Sequence, residues 1–63
     1  MKLKAITIKE NALIYNNQTY QIDYTELYIN DQFLGFIQKA TIAVRDFEIT
    51  QNPNGLKRAV LHL

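Results

Sequence analysis

The sequence lacks cysteine, serine and tryptophan, and it contains one histidine, one proline and two glycines. Without cysteine no disulfide can form, and a structural zinc site loses its usual ligands because His62 is the only histidine. The two commonest side-chain nucleophiles are also missing, so a nucleophile paired with a histidine base cannot be built in the usual way. We therefore expect no enzyme activity, no metal site and no other cofactor.

Long hydrophobic runs are absent as well. No apolar run approaches the ~20 residues of a membrane-spanning helix, and the start, Met1-Lys2-Leu3-Lys4, lacks the long apolar stretch of a signal peptide. These absences predict an intracellular, cytoplasmic protein without membrane contact. Isoleucine, asparagine, lysine and tyrosine are abundant, a usage typical of low-GC genomes that favours a phage or mobile-element source.

The 63 residues are expected to form a single small domain, residues 1–63. Size scaling indicates that folding buries about 60 % of the surface of the extended chain. Burial of the apolar part contributes about 90 kcal/mol, whereas ordering the chain costs about 95 kcal/mol. Because these terms nearly cancel and neither disulfides nor metals are expected, self-association is the remaining source of stability.

The chain is rich in alternating apolar and polar residues with β-branched and aromatic side chains. Residues 3–9 and 19–24 show this period of two most clearly. Turn residues separate the alternating segments at Asn16-Asn17, Asn30-Asp31 and residues 52–55, Asn-Pro-Asn-Gly. This pattern predicts an all-β fold, a small barrel or sandwich of five to seven short strands.

Two irregularities refine the prediction, and one segment leaves an alternative open. Gly35 lies inside an apolar strand and indicates a β-bulge or a close backbone approach. Within residues 40–49 the apolar positions change phase near Arg45, as they do at a bulge that bends a strand. The alternative is a β-rich α+β fold with one short helix near the C-terminus, because helical spacing also fits Leu56, Ala59, Val60 and Leu63.

Aromatic residues are concentrated around the second predicted hairpin, at Tyr24, Tyr28, Phe33 and Phe36. This is more aromatic surface than so small a core needs, and aromatic side chains are enriched at protein interfaces. We therefore predict these four as protein-contact residues. The favoured function is a non-enzymatic protein-interaction or assembly module that associates with itself, as a homo-oligomer, or binds a host factor.

Charge is distributed unevenly, although the net charge is only +1. Between Glu10 and Gln38 there is no lysine or arginine. If the first and last strands pair, a basic patch could form from Lys2, Lys4, Lys57 and Arg58. Such a patch, with the tyrosines as stacking platforms, would suit the alternative function of a small-barrel nucleic-acid-binding protein or the binding of an acidic partner. Nucleic acid is the less favoured partner, because carboxylates next to the tyrosines would repel phosphates.

Overall fold

In the computed structural model, residues 2–63 are described, and they form eight β-strands in two four-stranded sheets. The strands are β1 (Lys4–Lys9), β2 (Ala12–Tyr15), β3 (Gln18–Gln21), β4 (Tyr24–Ile29), β5 (Gln32–Ile37), β6 (Ala40–Val44), β7 (Asp46–Gln51) and β8 (Lys57–His62). The first sheet has the order β3-β2-β1-β6 and the second has the order β5-β4-β8-β7. All neighbours are antiparallel except β4 and β8, which are parallel. The predicted small all-β fold is confirmed.

The number of strands and the C-terminal segment differ from parts of the prediction. Eight strands form rather than five to seven, because the segment 40–49 is divided at Arg45 into β6 and β7. The alternative of a C-terminal helix is wrong, because residues 57–62 form β8 between β4 and β7. Three successive residues of β8, Ala59, Val60 and Leu61, are buried. A strand covered on both faces has a continuous apolar run, which also fits helical spacing.

Two hairpins are closed by turns of two residues with positive φ. Asn16 and Asn17 join β2 to β3 with φ of 54° and 65°, and Asn30 and Asp31 join β4 to β5 with φ of 49° and 66°. Two consecutive positive φ values are typical of the type I′ turn, whose twist matches that of the flanking strands. Asparagine and aspartate tolerate this conformation better than other non-glycine residues, so both predicted turns are confirmed.

The chain passes between the sheets at two bends. The amide of Ile22 donates at 3.1 Å to the carbonyl of Asn11, in the turn between β1 and β2 of the first sheet. The next amide, that of Asp23, donates at 2.7 Å to the carbonyl of Lys57 in the second sheet. At the other bend the amide of Arg45 donates to the carbonyl of His62 at 2.8 Å. Strands that change sheets in this way form the corners of β-sandwiches. The change of phase predicted near Arg45 is therefore the point where β6 leaves the first sheet.

The core lies between the two sheets and is aliphatic. Its buried cluster consists of Ile6, Ile8, Leu13, Ile22, Val44, Ala59 and Leu61. Partly buried side chains, including Tyr15, Tyr20, Phe47 and Ile49, pack against this cluster. Because these residues fill the space between the sheets, the outer face of the second sheet is left as a separate surface.

Candidate protein-docking site

Four aromatic rings form a continuous row on the outer face of the second sheet. Tyr24 and Tyr28 come from β4, and Phe33 and Phe36 come from β5. The ring centroids are 6.0 Å apart from Tyr24 to Phe36, 5.1 Å from Phe36 to Phe33 and 5.6 Å from Phe33 to Tyr28. Each contact has the edge-to-face geometry that aromatic rings prefer. The structure thus brings together all four residues predicted as protein contacts, here called the aromatic row.

A β-bulge in β5 explains why Phe33 and Phe36 lie on the same face. Residues three apart in a regular strand point to opposite faces. Two successive residues of β4 are paired with Gly35 and then with Phe33, so Leu34 is an extra residue that shifts the phase. Gly35 has φ of 149°, in a region that favours glycine. The predicted irregularity at Gly35 is therefore confirmed as a bulge, and it directs both phenylalanines outward.

The aromatic row borders on a strongly exposed apolar edge. Phe33, Leu34 and Phe36 are 49 %, 54 % and 65 % exposed, and β5 is an edge strand of its sheet without a charged residue. Sheet edges are usually protected by charges, by proline or by a covering element. A cluster of exposed apolar side chains on such an edge is typical of an interaction surface.

A partly buried ion pair lies beside the aromatic row. The Glu26 side chain is only 12 % exposed, and its Oε1 accepts hydrogen bonds from Arg58 Nη1 at 2.9 Å and from Tyr28 Oη at 3.1 Å. Arg58 Nε also donates to Thr50 Oγ1 at 2.9 Å. The hydrogen bond to the Glu26 carboxylate raises the pKa of Tyr28 above its ordinary value of 10.0. These bonds fix Tyr28 in place at one end of the row.

The other two tyrosines are not part of this surface. Tyr15 and Tyr20 contact Phe47, with ring centroids 5.3 Å and 6.4 Å apart, and they pack against the core. They are separated from Tyr24 and Tyr28 because the chain changes sheets between β3 and β4. The tyrosines therefore do not form one common stacking platform.

The four predicted basic residues do not share a patch either. The expected pairing of the first and last strands does not occur, because β1 and β8 belong to different sheets. Lys4 lies 3.4 Å from Asp46, which is paired with the last residue of β8, whereas Lys57 is the first residue of β8, roughly 16 Å away along the strand. Arg58 is engaged with a carboxylate, and Lys2 precedes β1.

A cavity of about 440 Å³ lies at the Tyr24–Phe36 end of the aromatic row. Its walls include the carboxylates Glu10 and Asp23, the two aromatic residues and the buried Thr25. We call it the acidic cavity. Neither carboxylate forms an ion pair within the part of the chain that is described. The sequence does not predict the cavity directly, although the absence of lysine and arginine from Glu10 to Gln38 is a sign of it.

A larger cleft of about 620 Å³ lies between the edge strands β3 and β7. Its charged residues are of opposite sign, Glu48 and Lys57, and its aromatic residues Tyr20 and Phe47 are packed against the core. Thr25 lines the acidic cavity, and its Oγ1, an enclosed atom, is the only buried side-chain polar atom among residues 2–63 without a hydrogen-bond partner. The charged residues of the acidic cavity, Glu10 and Asp23, are of one sign, so it is the better candidate for recognition of a charged group.

Comparisons with protein-family models, with curated proteins and with solved structures gave no match. Across residues 2–63, no three histidine, aspartate or glutamate side chains are grouped so that they could hold a metal ion. No helix in the same range could cross a lipid bilayer. The aromatic row and the acidic cavity are thus interpreted from their own geometry and chemistry.

Proposed function

We propose that this protein is a non-enzymatic interaction module that binds a partner protein through the aromatic row. The observation that carries the proposal is the exposure of Phe33 and Phe36 on an uncharged edge strand. The core is filled by other, mainly aliphatic residues, so these two rings are not needed to complete it. Exposed aromatic side chains of this kind often supply most of the binding energy of an interface.

The charges around the row support a protein partner over nucleic acid. Phosphate binding requires lysine or arginine side chains that face the ligand. Next to the row, Arg58 is engaged with Glu26, and the nearest cavity has carboxylates in its walls. Because no basic patch adjoins the aromatic rings, we do not propose nucleic acid as the ligand.

The partner is proposed to present apolar side chains next to a lysine or arginine. This follows from charge complementarity, because one end of the row opens onto Glu10 and Asp23, which have no cationic partner among residues 2–63. A foreign protein is the occupant we propose; a second copy of the chain is the alternative that the experiments must separate. A cytoplasmic location and a phage or mobile-element origin remain predictions from composition.

Selection from a library of random linear peptides on the immobilised protein tests the proposal. We expect enrichment of peptides that combine aromatic or aliphatic residues with lysine or arginine. The affinity of an enriched peptide should fall about tenfold, or ~1.4 kcal/mol, in Phe36→Ala. Leu34→Ala should also weaken peptide binding. Leu3→Ala is the matched control and should leave binding unchanged, although Leu3 is as exposed as Leu34, at 55 % and 54 %.

Circular dichroism of each variant establishes that the fold is retained. The proposal would be overturned if no peptide were enriched, or if Leu3→Ala weakened binding as much as Leu34→Ala. Enrichment of peptides without basic residues would contradict the proposed charge of the partner. If the protein without any peptide has a mass above that of a monomer, and Phe36→Ala returns the mass to that of a monomer, the occupant is a second copy rather than a foreign protein.

A further inference from the structure

We infer that the partner protein binds beside the aromatic row as an extended segment, which pairs with the open edge of β5 as a further strand of the second sheet. The inference rests on the proposed function and specifies the conformation and the backbone contacts of the bound segment. It is based on three features of β5: its position at the edge of the sheet, the direction of its backbone groups and the exposure of its side chains.

The backbone groups of Phe33 face the open edge of β5. A turn of two residues joins β4 to β5, so the residues next to it, Ile29 and Gln32, form a hydrogen-bonded pair. Bonded and non-bonded pairs alternate in an antiparallel ladder, so the next pair, Tyr28 and Phe33, exchanges no hydrogen bond. The carbonyl of Tyr28 accordingly points away from β5, where it accepts from the amide of Leu63 at 2.8 Å. The amide and the carbonyl of Phe33 are therefore directed to the side where β5 has no neighbour.

The bulge brings the backbone groups of Phe36 to the same edge. Phe36 is opposite Glu26, which precedes Tyr28 by two residues and so directs its backbone groups to the same side, toward β8. Phe33 and Phe36 are three residues apart in the chain, yet across the ladder they have the spacing of alternate residues. Two alternate residues of an added strand can therefore pair with both. Their side chains would lie on the outer face, next to the two phenylalanine rings, because directly opposite residues share a face.

β5 differs from the other edge strands, β3, β6 and β7, in the side chains that it exposes. Among residues 2–63, six large apolar side chains are exposed, and three of them, Phe33, Leu34 and Phe36, belong to β5. No other edge strand contains one. β7 also carries Asp46 and Glu48, and charged residues on an edge oppose the pairing of another strand. At β5 an extended segment gains backbone hydrogen bonds and apolar contacts together, which is the basis of recognition by strand addition.

A segment of a foreign protein is the occupant that the charges favour over a second copy. One end of the aromatic row opens onto Glu10 and Asp23, and β5 contains no lysine or arginine. A second copy that paired through its own β5 would therefore bring no cation from that strand to the two carboxylates. A foreign segment with alternating apolar residues and a basic residue at the Tyr24–Phe36 end complements both the rings and the charge.

A backbone scan of an enriched peptide tests the extended pairing. Each residue in turn is replaced by its N-methyl derivative, which removes one amide donor. A strand paired along one edge uses the amides of alternate residues. Affinity should therefore fall about tenfold at every second position of the bound segment and stay within about twofold at the positions between them. Alanine should weaken binding at the same positions as N-methylation, because those side chains contact Phe33 and Phe36. The intervening positions are the internal control, since their amides face away from β5.

Amide hydrogen exchange of the ¹⁵N-labelled protein, followed by NMR, locates the paired edge. We expect the enriched peptide to slow the exchange of the amides of Phe33 and Phe36 about tenfold or more. Thr19 is the matched control, because it is the second residue after the other two-residue turn, as Phe33 is after its own. Its amide therefore faces the open edge of β3 in the same way. The exchange of this amide should not change.

Three results would contradict the strand pairing: N-methylation without a period of two, unchanged exchange at Phe33 and Phe36, or slowed exchange at Thr19 instead. If binding were still weakened in Phe36→Ala, any of these results would reject the strand pairing and keep the proposed function. Slowed exchange at Phe33 and Phe36, with no effect of Phe36→Ala or Leu34→Ala on affinity, would keep the pairing and reject the aromatic row as the binding surface. Absence of any enriched peptide would overturn both.

Discussion

At the scale of single residues, Glu26 shows how the outer face of the second sheet depends on one ion pair. Its carboxylate is largely buried and is held by Arg58 and Tyr28. Arg58→Met removes the charged donor and leaves the carboxylate poorly compensated. We expect this variant to lose about 1–3 kcal/mol in the free energy of unfolding, measured by urea denaturation.

The control for this prediction removes both charges. A largely buried charge without its partner is destabilising, whereas replacement of a whole pair by apolar side chains is often nearly neutral. The double variant Glu26→Leu with Arg58→Met should therefore recover part of the stability lost in Arg58→Met alone. If the free energy of unfolding of Arg58→Met lies within about 0.5 kcal/mol of that of the wild type, the Glu26–Arg58 ion pair is as weak as a solvent-exposed pair.

Asp46 gives a pH-dependent prediction at the same scale. The backbone amide of Phe47, at 2.9 Å, and then Lys4 lower the pKa of Asp46 below its ordinary value of 3.8. A carboxylate with a lowered pKa in the folded state stabilises the fold above its ordinary value, and this stability is lost as the pH falls through the folded value. Asp46→Asn should therefore have a lower melting temperature than the wild type at neutral pH. The two melting temperatures should converge as the pH falls through the folded-state pKa of Asp46. If the difference between the two melting temperatures stayed constant from neutral pH to acid, the ionised carboxylate of Asp46 would not be the source of the stability.

The sequence predicts individual residues well where the contacts are local. Tyr24, Tyr28, Phe33 and Phe36 lie on one hairpin, so their spacing and the glycine between the phenylalanines suffice to predict a common cluster. The partner of Arg58 is 32 residues away in the chain. That contact depends on the parallel pairing of β4 with β8, which no local pattern specifies. The expected basic patch required the first and last strands to pair, whereas β1 and β8 lie in different sheets.

At the scale of secondary-structure elements, the bulge in β5 controls which face the aromatic rings occupy. Gly35 has φ of 149°, and a methyl group added there would meet no atom within 4 Å, so backbone strain alone opposes a side chain. We expect Gly35→Ala to cost about 1–3 kcal/mol of stability, measured by urea denaturation. It should also weaken peptide binding, since relief of the strain changes the direction of Phe33 or Phe36.

Gly55→Ala is the matched control for this element. Gly55 has φ of 88° in the turn before β8, so a side chain is strained there too; this turn lies near Asp23 but outside the β4–β5 hairpin that carries the four rings. Both variants should lose stability, whereas only Gly35→Ala should lose affinity for the peptide. Equal effects of the two variants on affinity would show that the bulge does not direct the binding surface.

The hairpins could be predicted from the sequence, and the corners of the sandwich only in part. Asn16-Asn17 and Asn30-Asp31 specify their turns by local backbone preference, and the structure confirms both. The bend at Arg45 appears in the sequence as a change of phase, but the pattern does not show that the strand passes to another sheet. The acidic cavity was not predicted, although Glu10 and Asp23 flank the open end of the β2–β3 hairpin, where Ala12 is paired with Gln21 and the amide of Ile22 donates to the carbonyl of Asn11.

At the scale of the whole molecule, the exposed surface bears on the oligomeric state. The chain exposes 4529 Å², whereas size scaling gives roughly 4,200 Å² for a folded monomer of 7.4 kDa. The excess is small, so the fold has no large uncovered core that requires a second subunit. The composition favours self-association, but the packed sandwich already buries about as much surface as an independent domain of this size.

We therefore predict that the protein alone is a monomer of 7.4 kDa in light scattering over a range of micromolar concentrations. The reason is that the chain already exposes about as little surface as an independent folded domain of this size. An enriched peptide should raise the mass by one peptide per chain. A concentration-dependent dimer that persisted in Phe36→Ala would place self-association on another surface, whereas a dimer abolished by this substitution would make the second copy the natural ligand of the aromatic row.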